Sequence, residues 1–161
     1  MVERIVGIFI SVVVGGSVIF MDNLPGTDYQ ERETVIVMET EPQVTEYNKV
    51  LFAQIVMAEA GDQGLYGKRL VVDVILNRID SEHYPCTLEG VISQTGQFAA
   101  YENGAVWRVD PDEECYQAIE MELENRTDSE IIYFRTDHYS EYGIPCYQYR
   151  DHYFSRKEKR I

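Results

Sequence analysis

From Thr45 onward the chain reads as helix. Tyr47, Leu51 and Ile55 recur every fourth residue, with Phe52 and Val56 beside them on one broad apolar face. Thr45 stands at the N-cap position, and Gly61 supplies the stop, as the residue that tolerates a left-handed C-terminal conformation. Carried one step past Ile55, the same spacing reaches Glu59, so the buried stripe ends on a carboxylate. A second helix is predicted from about Leu65 to Arg78, with Leu70, Val71, Val74 and Ile75 inward and Asp73 outward. A shorter helix follows over residues 87–94, then a glycine-containing turn and Gly96-Gln97-Phe98. D-P-D-E at 110–113 is a helix start, with Asp110 as N-cap, Pro111 in the first turn and Glu113 completing a capping box. That helix carries Tyr116, Ile119 and Leu123 inward and stops near Asn125. I-I-Y-F at 131–134 reads as a strand, and Q-Y-R-D-H-Y-F at 148–154 as one or two more around a turn at Arg150-Asp151. Helices first and a short antiparallel element last predict an α+β, mostly helical domain over residues 45–161.

The chain before Thr45 differs in kind. Residues 5–21 carry no charge, and at about 1.5 Å rise per residue a helix of this length just crosses a hydrocarbon core. Arg4 marks one flank and Asp22, Asp28, Glu31 and Glu33 the other, which places the N-terminus inside and the remainder outside. The segment 1–21 is therefore a membrane anchor or a cleaved signal peptide, and either puts the domain outside the cytoplasm. Residues 22–44 form an acidic linker interrupted by the apolar patch 35–38.

Charge and cysteines narrow the function. Acidic residues outnumber basic ones 28 to 14, and no basic footprint for nucleic acid exists. The same balance gives no help in approaching an anionic polymer, which leaves shape, stacking and hydrogen bonds to hold one. Cys86, Cys115 and Cys146, with His83, His138 and His152, show no metal-ligand spacing, so no metal or other cofactor is predicted. Cys86 and Cys146 each follow a proline and are candidates for a disulfide in an exported domain, with Cys115 a buried helical thiol.

Glu59 is the candidate with chemistry. A carboxyl on an apolar face loses hydration, and at a helix C-terminus it meets the negative end of the dipole. Both raise its pKa and keep a fraction protonated, as a general acid requires. The alternative is a carboxylate that snorkels to water at the helix end.

A-E-A-G-D-Q-G-L-Y-G-K-R-L-V-V-D-V-I-L-N-R-I, then Y-P-C-T-L-E-G-V-I-S-Q-T-G-Q-F, D-P-D-E-E-C-Y-Q-A-I and the closing D-H-Y-F resemble, in this order, the catalytic domain of the bacterial SleB-type cell-wall hydrolases, which include spore cortex-lytic enzymes. The resemblance spans about residues 48–156 and implies a small lysozyme-like fold whose cleft cuts the glycan strands of peptidoglycan, with Glu59 of Ala58-Glu59-Ala60 as the catalytic acid. It also implies a lytic transglycosylase scheme, in which one glutamate acts as acid and then base. That avoids the second carboxyl of ordinary glycosidases, for which Asp62, Asp73, Asp80 and Glu102 are the candidates. The chain departs from the family pattern at Met57, where tyrosine is usual, at Asp62 for glutamate and at Ala99 for serine. Met57 thus bears on substrate preference, and the departures motivate a rival reading, a non-catalytic peptidoglycan-binding or scaffolding module.

Weaker candidates complete the set. Gln97 and Phe98 offer an amide and a stacking face to a sugar, or anchor a loop. Tyr133 lines the cleft or packs in the core, Asn77 and Arg78 cap and brace their helix end, and His152 orders the cleft or satisfies a buried hydrogen bond.

Overall fold

The structure is a computed structural model that describes residues 12–14, 17–19 and 46–158. Two units are described separately, residues 1–38 and 39–161. In the first, β1 (Val12–Val14) pairs antiparallel with β2 (Ser17–Ile19), Val13 opposite Val18. The sequence predicts a helix here. β-branched residues on both sides of Gly15-Gly16 instead match a two-residue hairpin, since they lose side-chain freedom in a helix and fit a pleated strand. The rest of the uncharged run, the linker patch at 35–38 and the Thr45 cap lie outside the described residues.

In the second unit α1 (Glu46–Ala60) buries Leu51, Phe52, Ala53, Ile55, Val56 and Ala60, the face its spacing predicts. A tight link through Gly61 leads into α2 (Gly64–Ile79). The left-handed residue of this link is Gly64, at φ +67, and not Gly61. Gly61 is needed for a different reason: a Cβ there would stand 2.7 Å from the Met57 carbonyl oxygen.

Every residue from Leu70 to Ile79 is buried, so α2 is the central helix, covered on all sides. Asp73 therefore has no outer face to occupy, contrary to the sequence expectation, and is fully buried. The polar residues of α2 are tied to its surroundings. Lys68 Nζ reaches Asp112 Oδ2 at 2.6 Å and Glu114 Oε2 at 2.9 Å. Asp73 Oδ2 accepts from the Asp128 backbone N–H at 2.8 Å, and Asn77 Nδ2 donates to the carbonyls of Asp128 and Ile131, each at 2.8 Å.

α3 (Leu88–Ile92) is capped by Thr87, and α4 (Ala99–Glu102) is followed by a 3-10 turn over Ala105–Arg108. α5 (Glu113–Glu124) begins two residues later than predicted. Its cap is Asp112, whose Oδ1 accepts from the Cys115 N–H at 3.0 Å while Oδ2 holds the buried Lys68. Its inward face is Cys115, Ala118, Ile119 and Glu122, and Leu123 is exposed. The helix turns by one position because Glu122 is drawn in by Arg69 Nε, the Thr127 N–H and Thr127 Oγ1.

β3 (Ile131–Thr136), β4 (Ile144–Tyr149) and β5 (His152–Arg156) form an antiparallel sheet in the order β3-β5-β4. The predicted turn at Arg150-Asp151 is present, with Arg150 at φ +47. Leu70 and Val74 of α2 pack with Ile131 and Phe154, joining sheet to helices. The domain is α+β and mostly helical, as predicted. All three cysteines are free, so the expected Cys86–Cys146 bond is not formed. Cys86 lies in the exposed loop before α3, and Cys146 Sγ turns to the Ile144 carbonyl of its own strand at 3.5 Å. Cys115 is buried, as expected.

Candidate active site

The end of α1, the turn before α4, the strand β3 and the start of β5 converge on a groove of about 350 Å³. Glu59, Gln97, Tyr133 and His152, four of the residues singled out in the sequence, line it together. Arg78, Arg135 and Tyr142 line it as well and were not expected there.

Glu59 is half-buried on the penultimate residue of α1. Loss of hydration pushes its pKa above the ordinary carboxylate value, and a hydrogen bond from the Ala100 backbone N–H opposes that shift only in part. Burial favours the protonated form of a carboxyl so placed, and the Ala100 N–H is a donor for the anion it would leave behind. Among the described residues it is the one carboxyl lining the groove. The other candidates are engaged elsewhere. Asp62 Oδ1 accepts from Gln63 Nε2 at 2.7 Å, Asp73 is inside the core, and Asp80 binds Arg126 at 3.0 Å. Glu102 Oε1 accepts from the Gly96 N–H at 2.6 Å, which fixes the turn that forms one rim of the groove.

His152 donates from its ring to the backbone carbonyl of Glu59, tying β5 to the end of α1. The ring packs 5.1 Å from Phe134, and burial lowers its pKa, so it is neutral near pH 7. This is an ordering role. Asn77 Nδ2 donates to the carbonyls of Asp128 and Ile131 and so links α2 to the start of β3. Gln97 is exposed on the rim, and Tyr133 presents a half-buried ring.

Two expectations fail. Phe98 is fully buried, 6.2 Å from Phe134 and beneath the Arg78 guanidinium, and has no face to offer a sugar. Its backbone caps α4 while its side chain fills the core, a direction that an isolated loop aromatic does not announce. The exposed ring on the groove is Tyr142, 68% accessible and 6.5 Å from Tyr133. Met57 does not line the groove. Two residues before Glu59 on a helix it points about 200° away, and its Sδ lies 3.9 Å from Cys115 Sγ on α5.

Arg78, read in the sequence as a brace of its helix end, also lines the groove, which its spacing did not show. Nε donates to the Ile132 carbonyl at 2.8 Å, and the guanidinium carbon sits 5.3, 5.5 and 5.8 Å from the ring centres of Tyr84, Phe98 and Tyr133. The signal was present: a cation in a stretch of α2 where every neighbouring position is core. A larger hollow of about 930 Å³ lies at the C-terminal end of α2, but the pairs Arg126–Asp80 and Arg156–Glu130 among its lining residues match charge with charge.

One carboxyl of raised pKa at a buried helix end, facing an open groove walled by a small sheet, defines a compact α+β domain fitted for acid catalysis on an extended substrate. The chain belongs to the cell wall hydrolase family, whose model matches residues 62–155, a stretch that opens just after Glu59. A spore cortex-lytic enzyme from Oceanobacillus iheyensis is 35% identical over 69 residues, 43% of this chain and 25% of that protein, so the match spans about a quarter of the relative's length. The fold is that of two solved structures. The catalytic domain of the germination-specific lytic transglycosylase SleB from Bacillus anthracis matches with a TM-score of 0.62 at 22% identity, over 72% of this chain and 99% of that one. The catalytic domain of the Bacillus cereus SleB protein matches with a TM-score of 0.61 at 24% identity, over 71% and 94%.

Proposed function

We propose that the protein cleaves the glycan strands of peptidoglycan between MurNAc and GlcNAc, with Glu59 as acid and then base. Membership of the cell wall hydrolase family supports the polymer, and the names of the relatives support spore cortex as its form. The observation that carries the mechanism is that Glu59, its pKa raised by burial, stands in the groove with no second carboxyl among the described residues that line it.

Glu59 gives its proton to the glycosidic oxygen as the bond from that oxygen to C1 breaks. The carboxylate so formed accepts the Ala100 N–H and then takes the proton of the C6 hydroxyl of the same sugar. The C6 oxygen closes on C1, giving a 1,6-anhydro end and a protonated Glu59 ready for another turnover. A nucleophile already attached to the substrate needs no second carboxylate to activate water. Tyr142 and Tyr133 supply stacking faces to sugar rings, and Gln97 an amide.

The uncharged run at 5–21 supports attachment to, or export through, a membrane and work outside the cytoplasm. No helix among the described residues is long and apolar enough to cross a membrane, and the six described residues of that run are strands. Digestion of vegetative and cortex peptidoglycan by the full chain tests the reading. Anhydro-ended fragments are expected, reducing ends would replace the scheme by hydrolysis, and bound but uncut polymer would favour the binding-module reading.

A further inference from the structure

Arg78 and Arg135 line the groove, and the cleavage chemistry above uses neither. Elsewhere in the domain Lys49, Lys68, Arg69, Arg126 and Arg156 each face a carboxylate of the protein. Arg78, only 3% exposed, faces Tyr84, Phe98 and Tyr133 and one backbone carbonyl, and its Nη1 has no hydrogen-bond partner. A buried cation is costly unless an anion compensates it. The chain carries 28 acidic residues, yet among the described ones no ion pair is made to Arg78. Glu59 lines the same groove, yet no ion pair joins it to Arg78.

Arg135 stands on the same strand as Tyr133, exposed on the groove wall, and its side chain makes no hydrogen bond or ion pair among the described residues. Arg78 and Arg135 set two cations against the one carboxyl that lines the groove among the described residues, on a chain of net charge −14. Field lines from such a pair concentrate in the concavity and draw anions there, against the repulsion of the surrounding surface.

We propose that Arg135 and Arg78 receive a carboxylate carried by the glycan strand beside the bond to be cut, so that the groove selects the acid-bearing form of its polymer. Arg135 supplies donors that the substrate reaches, and Arg78 supplies fixed charge behind them. This rests on the glycan-cleaving reading of the groove and adds to it the substrate feature that sets register. The bulk charge suggested that an anionic polymer gets no electrostatic help; the groove reverses that at the place where it counts.

The test uses the full chain and two substrates, peptidoglycan and the same material with its carboxylates coupled to methylamine as neutral amides. For the wild type the half-saturating concentration should rise about tenfold on the neutralised polymer, with the maximal rate unchanged, as loss of a charge-assisted hydrogen bond implies. Arg135→Gln, at an exposed position, should show that rise on untreated polymer and no further rise on the neutralised one. Arg78→Lys should behave likewise if it folds. Equal saturation of the wild type by both polymers, or an Arg135→Gln defect that persists undiminished on the neutral polymer, overturns the inference. If neither polymer is cut, the glycan-cleaving reading fails on its own. Pelleting of the protein with each polymer then decides, preference for the untreated one supporting the carboxylate site and equal binding refuting it.

Discussion

In the proposed scheme Glu59 owes its reactivity to its position. The stripe of Leu51 and Ile55 carries it to the rim of the core, where water is scarce, and the Ala100 N–H waits for the charge it takes on. Because burial raises its pKa, the protonated form needed for the first step persists above the ordinary carboxylate range and disappears as pH rises through the raised value. The basic limb of kcat/KM against pH should therefore lie above that range, and a limb at the pKa of a free glutamate would contradict the account. This residue was legible in the sequence because a four-residue repeat points to it. Phe98 was not, since a loop aromatic has no period to show which way it faces. Met57 drew attention because the family pattern usually has tyrosine there, but on a helix two residues separate faces, and its side chain turns to α5.

At the scale of elements, α2 organises the domain through polar groups inside the core. Asp73 Oδ1 meets no donor, and Glu122 of α5 is its acidic neighbour, an arrangement that favours one proton between the two acids. Burial and this neighbour raise the Asp73 pKa to about 8, while Thr127 and Arg69 keep Glu122 ionised. A carboxyl whose pKa is higher folded than unfolded stabilises fully below its unfolded value and loses that contribution as pH climbs to the folded one. Above the ordinary glutamate value of 4.5, once Glu122 is charged in both states, and up to about 8, this pair should erode stability. Asp73→Asn keeps a donor for Glu122 and an acceptor for the Asp128 N–H, so urea unfolding of this variant should lose that slope across the window. A slope equal to that of the wild type would show that the proton is not shared. The existence of α1, α2, α5 and the strands could be read from period and caps, but this network could not. Asp73 looked like a solvated charge because nothing local reveals that a helix is covered on all sides, and Leu123 looked buried because Glu122 turns α5 by one position.

Across the whole molecule the strong negative charge and the positive groove belong together. Five basic residues of the domain, Lys49, Lys68, Arg69, Arg126 and Arg156, are spent on internal ion pairs, while Arg78 and Arg135 line the groove together with Glu59. Composition records the sum of charges, so the groove was invisible to it; only the fold brings Arg78 of α2 beside Arg135 of β3. The order of the motifs, by contrast, was enough to place the chain in its family, because several patterns in one sequence constrain a fold far more than one does. The central claim is that Glu59 alone carries the proton in both directions. The rate of glycan cleavage by Glu59→Gln, compared with the wild type at equal folded stability, tests it most directly. Neutral glutamine keeps the shape but can neither give nor take the proton, and the account predicts a loss of at least about 10²- to 10⁴-fold, with binding to the polymer retained. A variant that cuts within about threefold of the wild type, well inside the span general acid–base catalysis commands, would contradict it.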